Sequence, residues 1–455
     1  MTDINPLGKR AVVVGGSLAG LLSIRALTDH YDDIVLFERD ELGEASGPRM
    51  SAPQSFHLHV LLKGGENAME RLAPGFREAI EQSGSETLNP GREFRSISDL
   101  GEAKRFDSPM RVHGQSRWLL EACLRDRVYA LTDNLTVRTG ATVRGLLHDA
   151  ERNRVTGVRF EEGDGSGELT ADLVVDASGR GEGGVRWLSA LGLEVPEIDT
   201  VKVDFAYAST FVRLAEDTDR DWKGLLEGNL PRVGARGAVL MPIEGGLHVC
   251  SAGGRAGDYP PEDSEGFLEF IRSLPSPLMA DELERAEFVR PIARMIYPAN
   301  RLRHYESCKG LPAAFLPVGD AFCSFNPTYG QGMSCAAFQA EALAETLAGR
   351  KPGEDISDLG RAYLHRAVAA VEFPWRQANF HDFLYPTTEG DRTMISEEET
   401  SYRLKLQMAA TRDPVLRDLS AAVQHFLEPY ERLFEDDVRA RVEAALAEPE
   451  SPAES

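Results

Sequence analysis

Arg10-Ala11-Val12-Val13-Val14-Gly15-Gly16-Ser17-Leu18-Ala19-Gly20 is the stretch that decides the fold. Arg10 to Val14 is short, apolar and β-branched, which predicts a buried parallel strand. Gly15 to Gly20 follows as a glycine-rich turn. Leu21, Leu22, Ile24, Ala26 and Leu27 then fall at helical spacing within Leu21 to His30. A second apolar strand, Asp33 to Glu38, closes on an acid. Strand, turn, helix and strand in that order make the unit that carries a dinucleotide, with the fingerprint G-x-G-x-x-G. Ser17 stands at the second glycine position. Serine is small enough to let backbone amides approach a pyrophosphate, and the helix N-terminus points its N–H groups at the anion. Glu38 lies 18 residues beyond Gly20, where a carboxylate accepts from ribose hydroxyls and repels the 2′-phosphate of NADP.

Two further stretches run from a buried strand into a turn. One is Leu173-Val174-Val175-Asp176-Ala177-Ser178-Gly179-Arg180. The other is Leu316-Pro317-Val318-Gly319-Asp320-Ala321, followed by Phe325-Asn326-Pro327-Thr328-Tyr329-Gly330-Gln331-Gly332-Met333. An acid leaving a buried strand can accept from a polyol. The Gly330 to Gly332 amides, at a helix N-terminus, can stabilise negative charge.

The chain has 455 residues, enough for two or three packed units. Hydrophobic residues make up 42% and charged residues 27%, ordinary for a globular enzyme. A formal net charge of −23 repels nucleic acid and anionic membrane, so neither is an expected partner, although the same charge also serves solubility alone. No apolar run reaches bilayer length and Met1 to Arg10 lacks the order of a signal peptide, so a cytoplasmic location is expected. Cys123, Cys250, Cys308, Cys323 and Cys335 are odd in number and scattered, which fits reduced thiols and argues against a disulfide framework or a zinc site.

Phe56 to Leu72 reads as a helix after a break at Pro53, and Trp118 to Leu131 as another. Leu135 to Val143 and Val155 to Phe160 read as strands, with a turn over Gly163 to Gly167. Phe205 to Leu214, Ala238 to Met241 and Leu247 to Ser251 have strand length between Pro, Gly and Asp, which predicts a mostly antiparallel second sheet. Met333 to Leu347 reads as a helix, the chain after Pro352 as largely helical, and the acidic tail after Ala447 as disordered.

With these motifs the chain resembles the single-component flavin monooxygenases of the p-hydroxybenzoate hydroxylase fold. The resemblance rests on the N-terminal turn, Glu38, Asp176 to Arg180 and Gly319 to Met333. Within that group it is similar to a branch carrying Pro53-Gln54-Ser55-x-His57-x-His59 and Gly319-Asp320-Ala321-x-Cys323-Ser324-Phe325-Asn326-Pro327-x-Tyr329-Gly330-Gln331-Gly332-Met333. That branch includes polyketide polyene epoxidases. It is also similar to dialkyldecalin synthases, flavoproteins that form a decalin by 4+2 cyclisation with FAD as a structural element.

The resemblance implies non-covalent FAD, with NAD(P)H as candidate electron donor. It implies an α/β fold: an FAD-binding Rossmann-like domain interleaved with a mostly antiparallel-sheet substrate domain, plus a C-terminal helical region. The expected division gives the FAD domain 1–85, 108–185 and 306–352, the substrate domain 86–107 and 186–305, and the helical region 353–455. Carried over by motif, Gly15, Ser17 and Gly20 hold the pyrophosphate, Glu38 the adenosine ribose and Asp320 the ribityl chain. Arg117, in Gln115-Ser116-Arg117-Trp118-Leu119-Leu120-Glu121, opens the helix that flanks the FAD. Gly16, Leu18, Ala19, Arg39, Val143, Asp176, Gly179, Pro327, Gly330, Gln331, Gly332 and Met333 complete the expected cofactor-binding set, with Arg49 on the flavin side.

The implied activity is epoxidation or hydroxylation of an apolar polyketide-like substrate through a flavin C4a-hydroperoxide. The alternative is a redox-silent cyclase whose FAD braces a pocket for intramolecular 4+2 cycloaddition of a linear polyene. Neither requires a side-chain nucleophile, and no catalytic residue is assigned. Many hydroxylases of the fold have Ala-Asp-Gly where this chain has Ala177-Ser178-Gly179. The missing acid is one tied to contacts with both FAD and NAD(P)H. The W-x-W-x-I-P motif of flavin halogenases is absent, which sets halogenation aside. His57 and His59 lack a third clustered ligand, so a packing or wall role is expected for them and no metal is assigned. His381-Asp382 and His425, in the C-terminal helical part, can face a substrate or solvent, with surface histidines the favoured reading, and Trp187, Trp222, Trp375, Phe380 and Phe383 are expected in the core.

Overall fold

The computed structural model describes residues 7–42, 47, 53–216, 219–231, 233–351 and 353–447. Arg49 and the tail after Ala447 lie outside these residues. The decisive stretch folds as strand Gly8–Val14 and helix Leu18–Leu27, followed by strand Tyr31–Phe37. The helix begins three residues before the expected Leu21, because Ser17 leaves the turn in extended backbone and Gly20 fits inside the first turn. A Cβ on Gly20 would strike the Gly15 carbonyl.

Gly8–Val14 is the central strand of a five-stranded sheet ordered Phe315–Pro317, Leu173–Asp176, Gly8–Val14, Tyr31–Phe37, Leu135–Arg138. Every pairing in it is parallel. This explains the unbroken apolar run, since Ala11, Val12 and Val13 are fully buried between two neighbours and under covering helices. Each such valine contributes on the order of 1.5–3 kcal/mol by leaving water. The parallel arrangement also gathers the carboxyl ends Val14, Phe37, Asp176 and Pro317, and therefore all three motifs, along one edge.

The second sheet has nine strands and is mostly antiparallel. Its long strands are Ile198–Arg213, Leu247–Arg255 and Ala293–Arg303. Ile198–Arg213 pairs on one side with Leu247–Arg255 and on the other with Ala293–Arg303. Phe94–Ser98 joins this sheet in parallel with Gly224–Gly228. A separate three-stranded sheet holds Ala141–Asp149, Arg154–Glu162 and Gly165–Thr170.

Three local expectations are corrected. Leu135 to Val143 is two strands, one in the five-stranded sheet and one in the three-stranded sheet, divided at Gly140 with φ +62°. Gly163 to Gly167 is not all turn: Gly165 already pairs with Glu162, and Gly167 is small because the Phe160 ring lies over it. Phe56 to Leu72 is a 3-10 turn at Pro53–Phe56, a non-helical segment, and a helix at Lys63–Leu72. His57 is held by Ser209, and the Lys63 amide donates to His425 Nδ1, which fixes where that helix starts.

Helix Gln331–Ala348 packs on Leu18–Leu27 and against helix Leu359–Phe383. Glu397–Arg412, Pro414–Gln424 and Asp436–Ala447 close a separate apolar cluster of Tyr402, Leu406, Leu416, Val438 and Val442. Asp413 caps the second of these by accepting from Val415 and Leu416, with Pro414 at the first helical position. Trp187, Trp222, Trp375 and Phe380 are buried. Among the described residues no helix is long and apolar enough to cross a membrane.

Candidate functional site

The three strand-end turns interlock. Ala177 donates its backbone N–H to the Val14 carbonyl at 2.9 Å, and Val318 donates to the Asp176 carbonyl at 2.9 Å. Gly15, at φ +105°, lies against the Ala177 carbonyl so closely that a Cβ there would overlap it. Left-handed backbone in contact with a neighbouring main chain admits glycine alone. Gly319, at φ +62°, is fixed by Gln339 Oε1, which accepts from its amide at 2.6 Å.

Around this edge the expected binding residues take definite positions. Glu38 is buried; Oε2 accepts from Gly16 N–H at 2.7 Å and Oε1 from Asp40 N–H at 3.0 Å, which ties the second strand to the glycine turn. Arg39 is exposed beside it, and the Ala141 amide, two residues before Val143, donates to the Glu38 carbonyl. Arg117 Nη2 donates to Ser17 Oγ at 2.9 Å and pairs with Glu121 Oε2 at 2.9 Å. Ser17 Oγ in turn donates to Glu121 Oε2 at 2.7 Å. A buried guanidinium is thus aimed at the residue that opens the first helix.

The two strand-end acids differ. Asp320 keeps accessible surface while burial pushes its carboxyl up, against the lowering effect of Arg180, Arg303 and Arg117. It lies close enough to Tyr207 and Tyr297 for its charge to act on their hydroxyls. Asp176 is 1% exposed, and its Oδ1 accepts from Ser178 N–H within its own turn. It is packed so closely that a Cβ on Gly184 would overlap Oδ2. Gly179 beside it, at φ +79°, has nothing within 4 Å of a Cβ position.

The third motif delivers Pro327–Tyr329 as a 3-10 turn, Gly330 at φ +66°, and Gln331 as the first residue of Gln331–Ala348. Gln331 is 1% exposed, yet neither of its amide atoms has a hydrogen-bond partner. Met333 is buried, and a Cβ on Gly332 would meet open space. Unsatisfied buried donors and acceptors beside open space are what a polar ligand completes.

Aromatic side chains of the large sheet lie beside Asp320. In the large sheet Phe205 pairs with Tyr297 and Arg255, Tyr207 with Met295, and Ser209 with Ser251, so these side chains share one face. His57 reaches this face: its Nδ1 is 2.9 Å from Ser209 Oγ and its ring lies 4.3 Å from that of Tyr207. Burial pushes His57 down to about 4. His59, whose Nδ1 donates to the His57 carbonyl at 3.0 Å, is pushed down to about 3 by burial and then by Arg117. Both rings are neutral at neutral pH. The described residues contain no group of three or more His, Cys, Asp or Glu that could hold a metal. All five cysteines are free thiols.

His381 and His425 are not surface histidines. Burial, then Arg403, pushes His381 down to about 3, and its ring lies 5.3 Å from Tyr329. Burial, then Lys63, pushes His425 down to about 4. Sequence reading also missed Glu121, Arg180 and Arg303, and Asp382, read with His381 as facing substrate or solvent, is fully buried. Glu121 has a signal, four residues after Arg117 on one helix face. Asp382 has none, because its partners come from distant strands and loops.

These residues could hold an FAD. The Gly15–Gly20 cradle and Arg117 suit a pyrophosphate, Asp320 a polyol, and the Gly330–Gly332 helix start an electron-rich ring edge.

No protein-family model matches the chain. Protein Rv3254 of Mycobacterium tuberculosis is 32% identical over 380 residues, covering 80% of this chain and 78% of that protein. The chain belongs to the Rv3254 family. Of the solved structures, the flavin-dependent brominase Bmp2 aligns with the present Rv3254-family chain at a TM-score of 0.68 and 15% identity, covering 96% of this chain and 98% of that one. The p-nitrophenol 4-monooxygenase PnpA from Pseudomonas putida DLL-E4 aligns at a TM-score of 0.64 and 16% identity, covering 93% and 99%. This Rv3254-family protein therefore shares the mixed α/β fold of those two enzymes.

Proposed function

We propose that this protein is a monooxygenase with non-covalent FAD, reduced by NAD(P)H, that epoxidises or hydroxylates an apolar polyketide-like molecule. The observation that carries the reading is the convergence at one sheet edge of the interlocked Gly15, Ala177 and Val318 turns with Asp320, which lies near Tyr207 and Tyr297, together with the Gly330–Gly332 helix start. Reduced FAD, when bound, supplies the activation of O2. The chain's part is to orient and exclude water. Phe205, Tyr207 and Tyr297 are buried aromatic side chains on one face of the large sheet, and neutral His57 is linked there through Ser209 to Ser251 in a short hydrogen-bond relay. The Gly330–Gly332 amides favour negative charge beside them. Bromination is not part of the reading, because none of the four tryptophans, Trp118, Trp187, Trp222 and Trp375, forms a W-x-W pair.

Ser178 supports the second reading, a redox-silent cyclase. A hydroxyl stands where many hydroxylases of the resembled fold carry an acid. Product mass separates the two. The protein is incubated with a panel of linear polyenes, in air with labelled O2 and NAD(P)H, and anaerobically with oxidised FAD. The monooxygenase reading expects one labelled oxygen in air and no product without it. An isomer of unchanged mass formed anaerobically would replace it with the cyclase.

A further inference from the structure

The last turn of helix Leu359–Phe383 carries Asp382, whose carboxylate is fully buried. Its Oδ1 accepts from Arg255 Nη2 at 2.5 Å, Tyr329 OH at 2.7 Å and Asn326 Nδ2 at 2.9 Å. Its Oδ2 accepts from Asn300 Nδ2 at 2.8 Å. Asn300 Oδ1 accepts from the Asn326 backbone N–H at 2.7 Å, and the Asn300 amide also donates to Asn379 Oδ1 at 2.8 Å. Arg255 is 4% exposed and lies 4.2 Å above the Tyr385 ring. Four segments distant in sequence meet here: strand Leu247–Arg255, strand Ala293–Arg303, the Asn326–Tyr329 loop and helix Leu359–Phe383.

A buried ion pair is poor value as a source of stability, because desolvation offsets its attraction and apolar packing does as well. What this pair does hold is the Asn326–Tyr329 loop, which leads directly into Gly330 and the helix start at Gln331. We propose that Asp382 is a positioning residue that fixes this loop, and that its pairing with Arg255 keeps the field at the Gly330–Gly332 helix start neutral, so that the pair tunes the redox balance of a flavin bound there. The inference rests on the FAD reading above. It predicts a sign. Remove the carboxylate, and Arg255 becomes an unpaired cation in a medium of low dielectric, where a charge acts over several ångströms. Remove the guanidinium, and Asp382 becomes an unpaired anion.

The test uses the FAD-loaded full-length protein at pH 8, as wild type, Asp382→Asn, Arg255→Gln and the double variant. The midpoint potential of bound FAD is measured, alongside FAD affinity and thermal melting. Asp382→Asn is expected to shift the two-electron equilibrium toward reduced flavin by about tenfold, about 30 mV. Arg255→Gln is expected to shift it the other way, and the double variant to return close to wild type. A structural role alone would leave the potential unmoved or move both single variants in one direction, and either result overturns the proposal. Should Asp382→Asn fail to fold, Arg255→Gln must still lower the potential and the second substitution restore it. A wild-type protein that binds no FAD overturns the FAD reading itself, whereas one that binds FAD with potentials indifferent to both charges overturns only this inference.

Discussion

Gly319 lies so close to Ala19 that a Cβ on Gly319 would stand 2.7 Å from the Ala19 methyl carbon. One residue opens the third motif and the other belongs to the first, 300 residues earlier in the chain. Their contact makes the glycine turn and the Asp320 turn a single rigid edge. Gly319→Ala adds both this overlap and a left-handed conformation that non-glycine residues resist, with a cost of about 2–4 kcal/mol. Chemical denaturation is expected to show that loss, with FAD occupancy falling in parallel. Full stability and occupancy in the variant would remove the interlock from the account.

The Arg117–Glu121 pair offers a test by sign. Glu121 offsets the guanidinium that reaches Ser17. If the pyrophosphate of FAD is held at that turn, Arg117→Gln weakens binding by about tenfold and Glu121→Gln strengthens it, both effects shrinking in high salt. Titration of apoprotein with FAD, followed by fluorescence quenching, reads both. Affinities indifferent to the two substitutions would place the phosphates elsewhere.

His57 sets an acid limit. Its folded-state value of about 4 lies below the ordinary histidine value near 6.5, so the unfolded chain binds the proton first. Stability is then complete above about pH 6.5 and falls as pH drops toward 4, by about 2 kcal/mol between pH 7 and 5 for this ring alone. Burial raises the carboxyls of Asp176 and Asp320, which gain stability in acid and oppose the trend. The readout is therefore a difference: His57→Gln is expected to lose less stability than wild type between pH 7 and 5. Equal losses would show that His57 is free to ionise in the fold.

What the sequence made legible was local. The strand, turn and helix around Gly15, the acid at Glu38, and the turns at Asp320 and Gly330 are each written in contiguous residues with a steric reason. The parallel sheet followed from apolar runs that no alternation interrupts. What stayed hidden depends on contacts between distant segments. Asp176 and Asp320 look alike as strand-end acids, yet only the packing of Gly184 and Ser178 turns one inward to its own turn. His381 and His425 sit in polar helical stretches that read as surface, until neighbouring helices cover them. Arg255 and Asp382 are 127 residues apart, and no periodicity announces their meeting.

Glu227 is a liability at high pH. It is fully buried on strand Gly224–Gly228, accepts from Met279 N–H at 3.2 Å, and leaves Oε2 without a partner. Burial pushes its carboxyl up to about 7. The folded form keeps its proton where the unfolded chain has lost it, so the residue destabilises the fold as pH rises from about 4.5 to 7 and costs a constant amount above that. Glu227→Gln keeps the acceptor and removes the ionisation. It is expected to stabilise the protein by about 3 kcal/mol at pH 8 and to be nearly neutral at pH 4.5 in denaturant titrations. No gain at pH 8 would mean that the carboxylate is solvated or paired.

The most direct test of the whole account is the identity of what native protein releases on denaturation. Chromatography of the supernatant is expected to give FAD, close to one per chain, with Gly15→Val and Asp320→Ala proteins giving much less. Release of no flavin, or of FMN, would contradict the account.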